Sequence, residues 1–320
     1  MNKYVPINSL EVPRFAEVKT FMRLPNVKTV KDIDFAVLGI PFDTASTYRT
    51  GSRFGPSAVR EISSLIKPYN PSLDINVVEW LSGVDYGDIS VIPGYIDDTY
   101  NRIEEGLLPI LEAGVIPVCM GGDHSITLGE LRAVAKVHGP VALVHLDAHF
   151  DTVDSYFGKK YNHGTVFRRA LEEGLIDVEH SIQVGMRGTY YSREDLTDSL
   201  DLGFKVITMF ELRRIGIPEV MKQIIERVGN KKAFFTFDID FVDPAYAPGT
   251  GTIEMGGPTS FEVLEMVRSL KDIDFVAYDM VEVLPSFDPT QITASLGGNV
   301  MYEFISIIAY QKRKKEGSRS

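Results

Sequence analysis

Cysteine is almost missing from this sequence. Cys119 is the only one among 320 residues, which excludes an intrachain disulfide and gives no reason to expect an oxidising compartment. Basic charge is also in deficit: 33 Lys and Arg face 44 Asp and Glu, a net charge of −11. A nucleic-acid partner needs surplus cations for phosphate contacts, so that class is excluded. No apolar run approaches the roughly 20 residues of a membrane helix, so no membrane partner is expected. Met1-Asn2-Lys3-Tyr4-Val5-Pro6 has no apolar leader segment. These absences together point to a cytoplasmic protein. Internal repeats, low-complexity stretches and long Pro/Gly/Ser linkers are missing too. Residues 1–320 are therefore expected to form one domain, with an N-terminal extension over 1–30 and a basic, disordered tail over 312–320.

What is present is a chain 44% hydrophobic, enough for a sizeable core. Apolar runs over Phe35–Ile40, Val77–Trp80, Val115–Met120, Val141–Leu146, Ile182–Gly185, Lys205–Thr208, Ala233–Phe237 and Phe275–Tyr278 predict strands. Several are nearly continuous in apolar residues, as parallel strands covered on both faces are. Helical periodicity fills the gaps: Val220, Met221, Ile224, Ile225 and Val228 form one stripe. Further helices are expected over Asp97–Glu112 and Ile292–Ile308. The repeated order predicts an α/β fold, a three-layer α/β/α sandwich around a central, mostly parallel sheet.

Three segments bunch His and Asp directly after predicted strands: Gly121-Gly122-Asp123-His124-Ser125, Asp147-Ala148-His149-Phe150-Asp151 and Asp238-Ile239-Asp240-Phe241-Val242-Asp243-Pro244. Ligands of open parallel sheets bind outside the carboxyl ends of the strands, so all three reach one rim. Alternation along an extended chain would point Asp147, His149 and Asp151 one way, and likewise Asp238 and Asp240. Burying four carboxylates together is prohibitive unless cations neutralise them. A lone Asp-x-Asp is usually a turn, but three such segments at three strand ends make a metal site the better reading. The donor atoms exceed what one ion uses and suit two. Oxygen and imidazole without thiolate favour Mn²⁺, with Ni²⁺ or Co²⁺ possible. Two such ions roughly 3.5–4 Å apart make a strong nucleophile of water at neutral pH.

These three motifs, with Pro248-Gly249-Thr250-Gly251-Thr252, Asn162-His163-Gly164-Thr165 and Val281-Glu282-Val283, resemble the ureohydrolase family of arginases, agmatinases and guanidino-acid hydrolases. The resemblance runs from about Pro13 to Tyr310 and leans to the agmatinase branch. It implies an arginase-like fold, two Mn²⁺ per subunit, a small guanidino substrate split into urea and an amine, and a homo-oligomer, trimeric or hexameric. It implies one ion held by His124, Asp147, Asp151 and Asp238, and the other by His149, Asp147, Asp238 and Asp240. It places Glu282 as guanidinium anchor and His163 as proton donor to the departing amine, with Asp151 also among the catalytic residues.

Substrate choice is expected from loops over the rim. Asp154-Ser155-Tyr156-Phe157-Gly158 is similar to guanidinopropionases, with Tyr156 a candidate substrate contact, whereas Ser52-Arg53-Phe54-Gly55-Pro56 is closer to guanidinobutyrases. Arg49 or Arg53 is the candidate partner for a substrate carboxylate, with a salt bridge between subunits the equal alternative for either. A guanidino acid, 3-guanidinopropionate or 4-guanidinobutyrate, is the favoured substrate and agmatine the alternative. Ile253 and Met255 depart from the family's Thr-Pro-Glu-x-Gly-Gly, and the missing proline is expected to loosen that loop. A zinc deacetylase-type amidohydrolase would need a mononuclear site, and a non-catalytic partner subunit would show lost ligands. Neither fits these motifs. His145 reads as a hydrogen-bonded core histidine, and Cys119 as packing.

Overall fold

A computed structural model describes residues 2–317. Eight strands form one parallel sheet: β1 (Phe35–Ile40), β2 (Gly83–Asp88), β3 (Ile116–Gly121), β4 (Ala142–Leu146), β5 (Ile182–Val184), β6 (Lys205–Ile207), β7 (Ala233–Asp238) and β8 (Phe275–Val281). Their order across the sheet is β2-β1-β3-β8-β7-β4-β5-β6. The central strands β1, β4 and β7 are buried along their whole length, as two-sided helical cover requires.

Two apolar cores lie on the two faces. Helices Ile217–Val228, Ser260–Ser269 and Ile292–Gly317 pack on one, and Ile96–Glu112, Thr127–His138 and Val166–Glu172 on the other. The predicted Val220–Val228 stripe is realised, with Val220, Met221, Ile224 and Val228 buried. The expected three-layer sandwich is the observed one.

Three expectations change. Val77–Trp80 is a single helical turn, closed by the Leu81 N–H on the Val77 carbonyl at 2.8 Å. The edge strand lies just beyond it, at β2. Its sequence Gly-Val-Asp-Tyr-Gly-Asp hides it, because Asp85 is buried against the Arg60 guanidinium at 2.8 Å and Gly83 lets the Phe35 ring approach. The closing helix runs to Gly317, so 312–317 are helical instead of a loose tail: Lys312 meets Asp34 at 2.7 Å, and Arg313 donates to the Asp74 carbonyl at 2.6 Å. Residues 318–320 of the predicted tail fall outside the described residues. That same helix contains a window of mean hydropathy 1.3, long enough to cross a membrane, but 83% of the window is buried inside the protein, so its apolarity serves the core.

Candidate metal centre

Each acidic motif begins where a strand ends. After β3, the chain turns at Gly122, where a Cβ would stand 1.7 Å from the Phe42 carbonyl oxygen; only glycine permits that approach. Asp123 then caps the next turn, accepting from the N–H groups of Ser125 at 3.0 Å and Ala45 at 2.9 Å. This fixes the loop that carries His124. After β4, Asp147 accepts the His149 N–H at 2.6 Å, and Asp151 adopts a left-handed φ of 54°. After β7, Asp238 accepts the Asp240 N–H at 2.8 Å within a 3₁₀ turn over Ile239–Phe241. The side chains therefore converge through tight turns closed by their own carboxylates, and not through the extended alternation expected from spacing.

The convergence is close. His124 Nδ1 lies 3.2 Å from Asp147 Oδ2, 3.0 Å from Asp151 Oδ2 and 3.2 Å from Asp238 Oδ2. His149 Nδ1 lies 3.1 Å from Asp240 Oδ2 and 3.5 Å from Asp147 Oδ1. His124 Nδ1 is buried and makes no hydrogen bond in spite of its three carboxylate neighbours. One ring nitrogen brings at most one hydrogen, so it cannot satisfy three acids. A cation among them would. Burial, and then the neighbouring charges of Asp240 and Asp147, push the Asp238 carboxyl well above the usual range. Burial likewise raises Asp240 to about 6. Asp147 moves the other way, held against its burial well below the usual range by the neighbouring imidazoles. Four carboxylates still outnumber His124 and His149, and the donor set fits divalent metal. Two donor groups share Asp147: His124, His145, Asp147 and Asp151 form one, and Asp147, His149 and Asp240 the other. His145 enters the first group through a 2.7 Å contact with Asp147 Oδ2, which agrees with its reading as a hydrogen-bonded histidine.

Glu282 sits at the end of β8 with a left-handed φ of 66°, a conformation that costs about 1–3 kcal/mol for a non-glycine residue. Its Oε1 accepts the His124 N–H at 3.0 Å and lies 3.1 Å from His163 Nδ1. It is 2% exposed and stands behind His163. The other ring nitrogen of His163 faces the hydroxyl of Thr47 at 2.7 Å and its N–H at 3.0 Å. Burial opposes a charge on this ring, but the Glu282 carboxylate, with the charges of Asp151 and Asp123, outweighs it and raises the pKa to about 9.

A cavity of about 800 Å³ is lined by His149, Asp151, Asp238 and His163, and also by Tyr156, Tyr190 and Arg168. Tyr156, a candidate substrate contact, lines this cavity. Arg49, the other candidate, is not among its lining residues, and its guanidinium stacks on the Phe287 ring at 4.4 Å and the Tyr48 ring at 5.3 Å. Arg53 is engaged by Asp43, with Nε to Oδ1 at 2.6 Å. The sequence reading missed Arg168, although it lies only five residues after His163. It faces the cavity with loose ion pairs, 3.4 Å to Asp198 and 3.7 Å to Asp154. Arg187, also on the wall, donates to the carbonyls of Asp240 (2.7 Å), Phe241 (2.9 Å) and Glu254 (2.9 Å). With Asp243 accepting the Gly256 N–H at 2.9 Å, it ties down the loop that the missing proline was expected to loosen.

A parallel α/β/α sandwich with paired His and Asp groups at its strand ends is the framework of a hydrolase acting on amidines. The arginase-family pattern matches residues 33–306, and the chain belongs to that family. It is 40% identical to a guanidinobutyrase of Pseudomonas aeruginosa, over 96% of this chain and 97% of that protein. A guanidinopropionase of the same organism is also 40% identical, over 95% of this chain and 96% of its own length. The solved proclavaminate amidino hydrolase of Streptomyces clavuligerus superposes with a TM-score of 0.90 at 38% identity, covering 93% of this chain and 99% of that one.

Proposed function

We propose that the protein hydrolyses a small guanidino acid, 3-guanidinopropionate or 4-guanidinobutyrate, to urea and the corresponding amino acid. The observation that carries this reading is the buried His124 Nδ1, hydrogen-bonded to nothing yet ringed by three carboxylates, two of which, Asp151 and Asp238, line a cavity of about 800 Å³. His124, Asp147, Asp151 and Asp238 would hold one ion, and His149, Asp147, Asp238 and Asp240 the other. Mn²⁺ is the favoured metal, with Ni²⁺ or Co²⁺ compatible with the same donors. Bound there, the two ions supply Lewis acidity and activate water at neutral pH.

The chain's own groups account for the rest. Glu282 makes both contacts through Oε1, so Oε2 would receive the substrate guanidinium while Oε1 keeps His163 oriented. As water adds to the guanidino carbon and the C–N bond to the amine breaks, the departing nitrogen needs a proton. His163, on the cavity wall, would give it, its Nε2 first leaving the Thr47 N–H that it accepts in this geometry. Tyr156 would pack on the substrate's methylene chain. Arg168, and not Arg49, would meet the distal carboxylate.

A second reading has its own support. Asp154, Glu194, Asp195 and Asp198 also line the cavity, and this acidic wall suits the distal ammonium of agmatine. Urea release from 3-guanidinopropionate, 4-guanidinobutyrate and agmatine separates the two. Turnover of a guanidino acid with none of agmatine supports the first reading, and the reverse establishes the second. Assembly as a trimer or hexamer in the cytoplasm belongs to the same proposal, and light scattering of the purified protein tests the assembly.

A further inference from the structure

Beneath the acid cluster, one row of the sheet is polar. Cys119 on β3, Asp279 on β8, Thr236 on β7, His145 on β4 and Gln183 on β5 are register partners on successive strands. All five are 0% exposed. Neighbours on the same strand face, such as Leu143 and Phe234, are apolar and belong to the core under Thr127–His138 and Val166–Glu172. A buried polar group without a partner costs about 1–3 kcal/mol, so a row of them in such a core calls for a use. Strand alternation supplies one. Two residues beyond Thr236 lies Asp238, and two beyond His145 lies Asp147.

The partners of each ring, taken with the two-ion reading, assign its hydrogen. His124 Nε2 is 2.8 Å from Thr236 Oγ1, while Nδ1 faces the carboxylates. For Nδ1 to present a lone pair, Nε2 must hold the hydrogen and Thr236 must accept it. Its cross-strand partner Asp279 accepts from Thr127 Oγ1 at 2.6 Å on Oδ2, while Oδ1 is buried without a hydrogen-bond partner, so Oδ1 is the acceptor towards which the Thr236 hydroxyl hydrogen would turn. On the next strand, Gln183 Nε2 meets the Phe150 carbonyl at 2.7 Å and His145 Nδ1 at 3.0 Å. An amide nitrogen only donates, so His145 Nδ1 accepts and its Nε2–H points at Asp147 Oδ2, 2.7 Å away. His145 is thus turned as a donor to Asp147 and is not itself a ligand. The Phe167 ring packs against both imidazoles, with centroids 5.3 Å from His124 and 4.3 Å from His145.

We propose that this row holds two positioning pairs: Thr236 with Asp279 sets the tautomer of His124, and Gln183 with His145 aims Asp147. Because His124 belongs to one donor group and Asp147 to both, the first pair governs one ion and the second governs two. The inference rests on reading the cluster as a two-ion centre.

The test is calorimetric titration of metal-stripped protein with Mn²⁺, comparing wild type with Thr236→Val, Thr236→Ser and Gln183→Leu, each first checked by thermal melting without metal. Thr236→Val, nearly equal in shape, is expected to melt like wild type and to weaken one ion by about 10–100-fold while sparing the other. Thr236→Ser restores binding. Gln183→Leu weakens both ions, and Gln183→Asn, which withdraws the amide from His145, carries the same expectation should the leucine variant fail to fold. Wild-type affinities in Thr236→Val and the Gln183 variant, or a serine variant as weak as valine, overturn the positioning role alone. A wild type that takes up fewer than two ions overturns it together with the functional reading.

Discussion

Replacing His163 by phenylalanine separates the proton-transfer step from metal binding. The hydrogen-bond partners of the ring are Glu282 and Thr47, outside the four acids of the cluster. Phenylalanine fills the same space and leaves Glu282 Oε1 still accepting the His124 N–H at 3.0 Å. The lost hydrogen bond to a buried carboxylate costs about 1–3 kcal/mol of stability, a lowered melting point in a folded protein. Catalysis suffers more. A positioned general acid contributes about 10²–10⁴ in rate, so kcat for urea release falls by that factor while KM and metal content stay near wild type. The pH profile adds a second check. The wild-type His163 pKa is raised to about 9, so its proton is available below that value and turnover declines as pH rises through it. The variant loses this alkaline limb. The same shift has a stability counterpart: the folded pKa exceeds that of a free imidazole, so the His163–Glu282 contact stabilises fully below about 6.5 and is lost as pH passes about 9. An unchanged kcat, or an alkaline limb that survives in the variant, would remove His163 from the mechanism.

Other outcomes follow from the same geometry. Asp238→Ala should leave a folded chain that retains neither ion at full occupancy and releases no urea, checked by elemental analysis; two retained ions would count against its place in the centre. Arg168→Gln should raise KM for a guanidino acid by about tenfold or more, in line with about 1.5–3 kcal/mol for a charged hydrogen bond, and leave agmatine unaffected. Equal KM values for both proteins would free Arg168 of that role. Gly122→Ala forces a methyl group into the Phe42 carbonyl, and a melting transition lowered by at least about 1–3 kcal/mol is expected; a wild-type melt would show that the loop yields.

The strand-end motifs were legible because each packs its acids and imidazoles within five residues of an apolar run, and runs such as Ala233–Phe237 announce a buried strand. The edge strand was not. Val77–Trp80 is apolar and β-branched but only one turn long, whereas Gly83–Asp88 carries an aspartate whose burial depends on Arg60, a partner distant in sequence. Spacing alone also misjudged how Asp147, His149 and Asp151 converge, since the turn depends on the left-handed backbone at Asp151. Arg168 and Arg49 look alike in a sequence; only the stacking of Arg49 on Phe287 tells them apart. The polar row was invisible for a different reason. Its members come from strands far apart in the chain, and only cross-strand register lines them up.

The most direct test of the account is a crystal structure of the Mn²⁺-loaded protein with anomalous scattering measured from the metal. Two peaks about 3.5–4 Å apart, one against His124 Nδ1 and the other against His149 Nδ1, with Asp147 and Asp238 touching both, are the predicted result. A single peak, or metal bound away from these side chains, would contradict it.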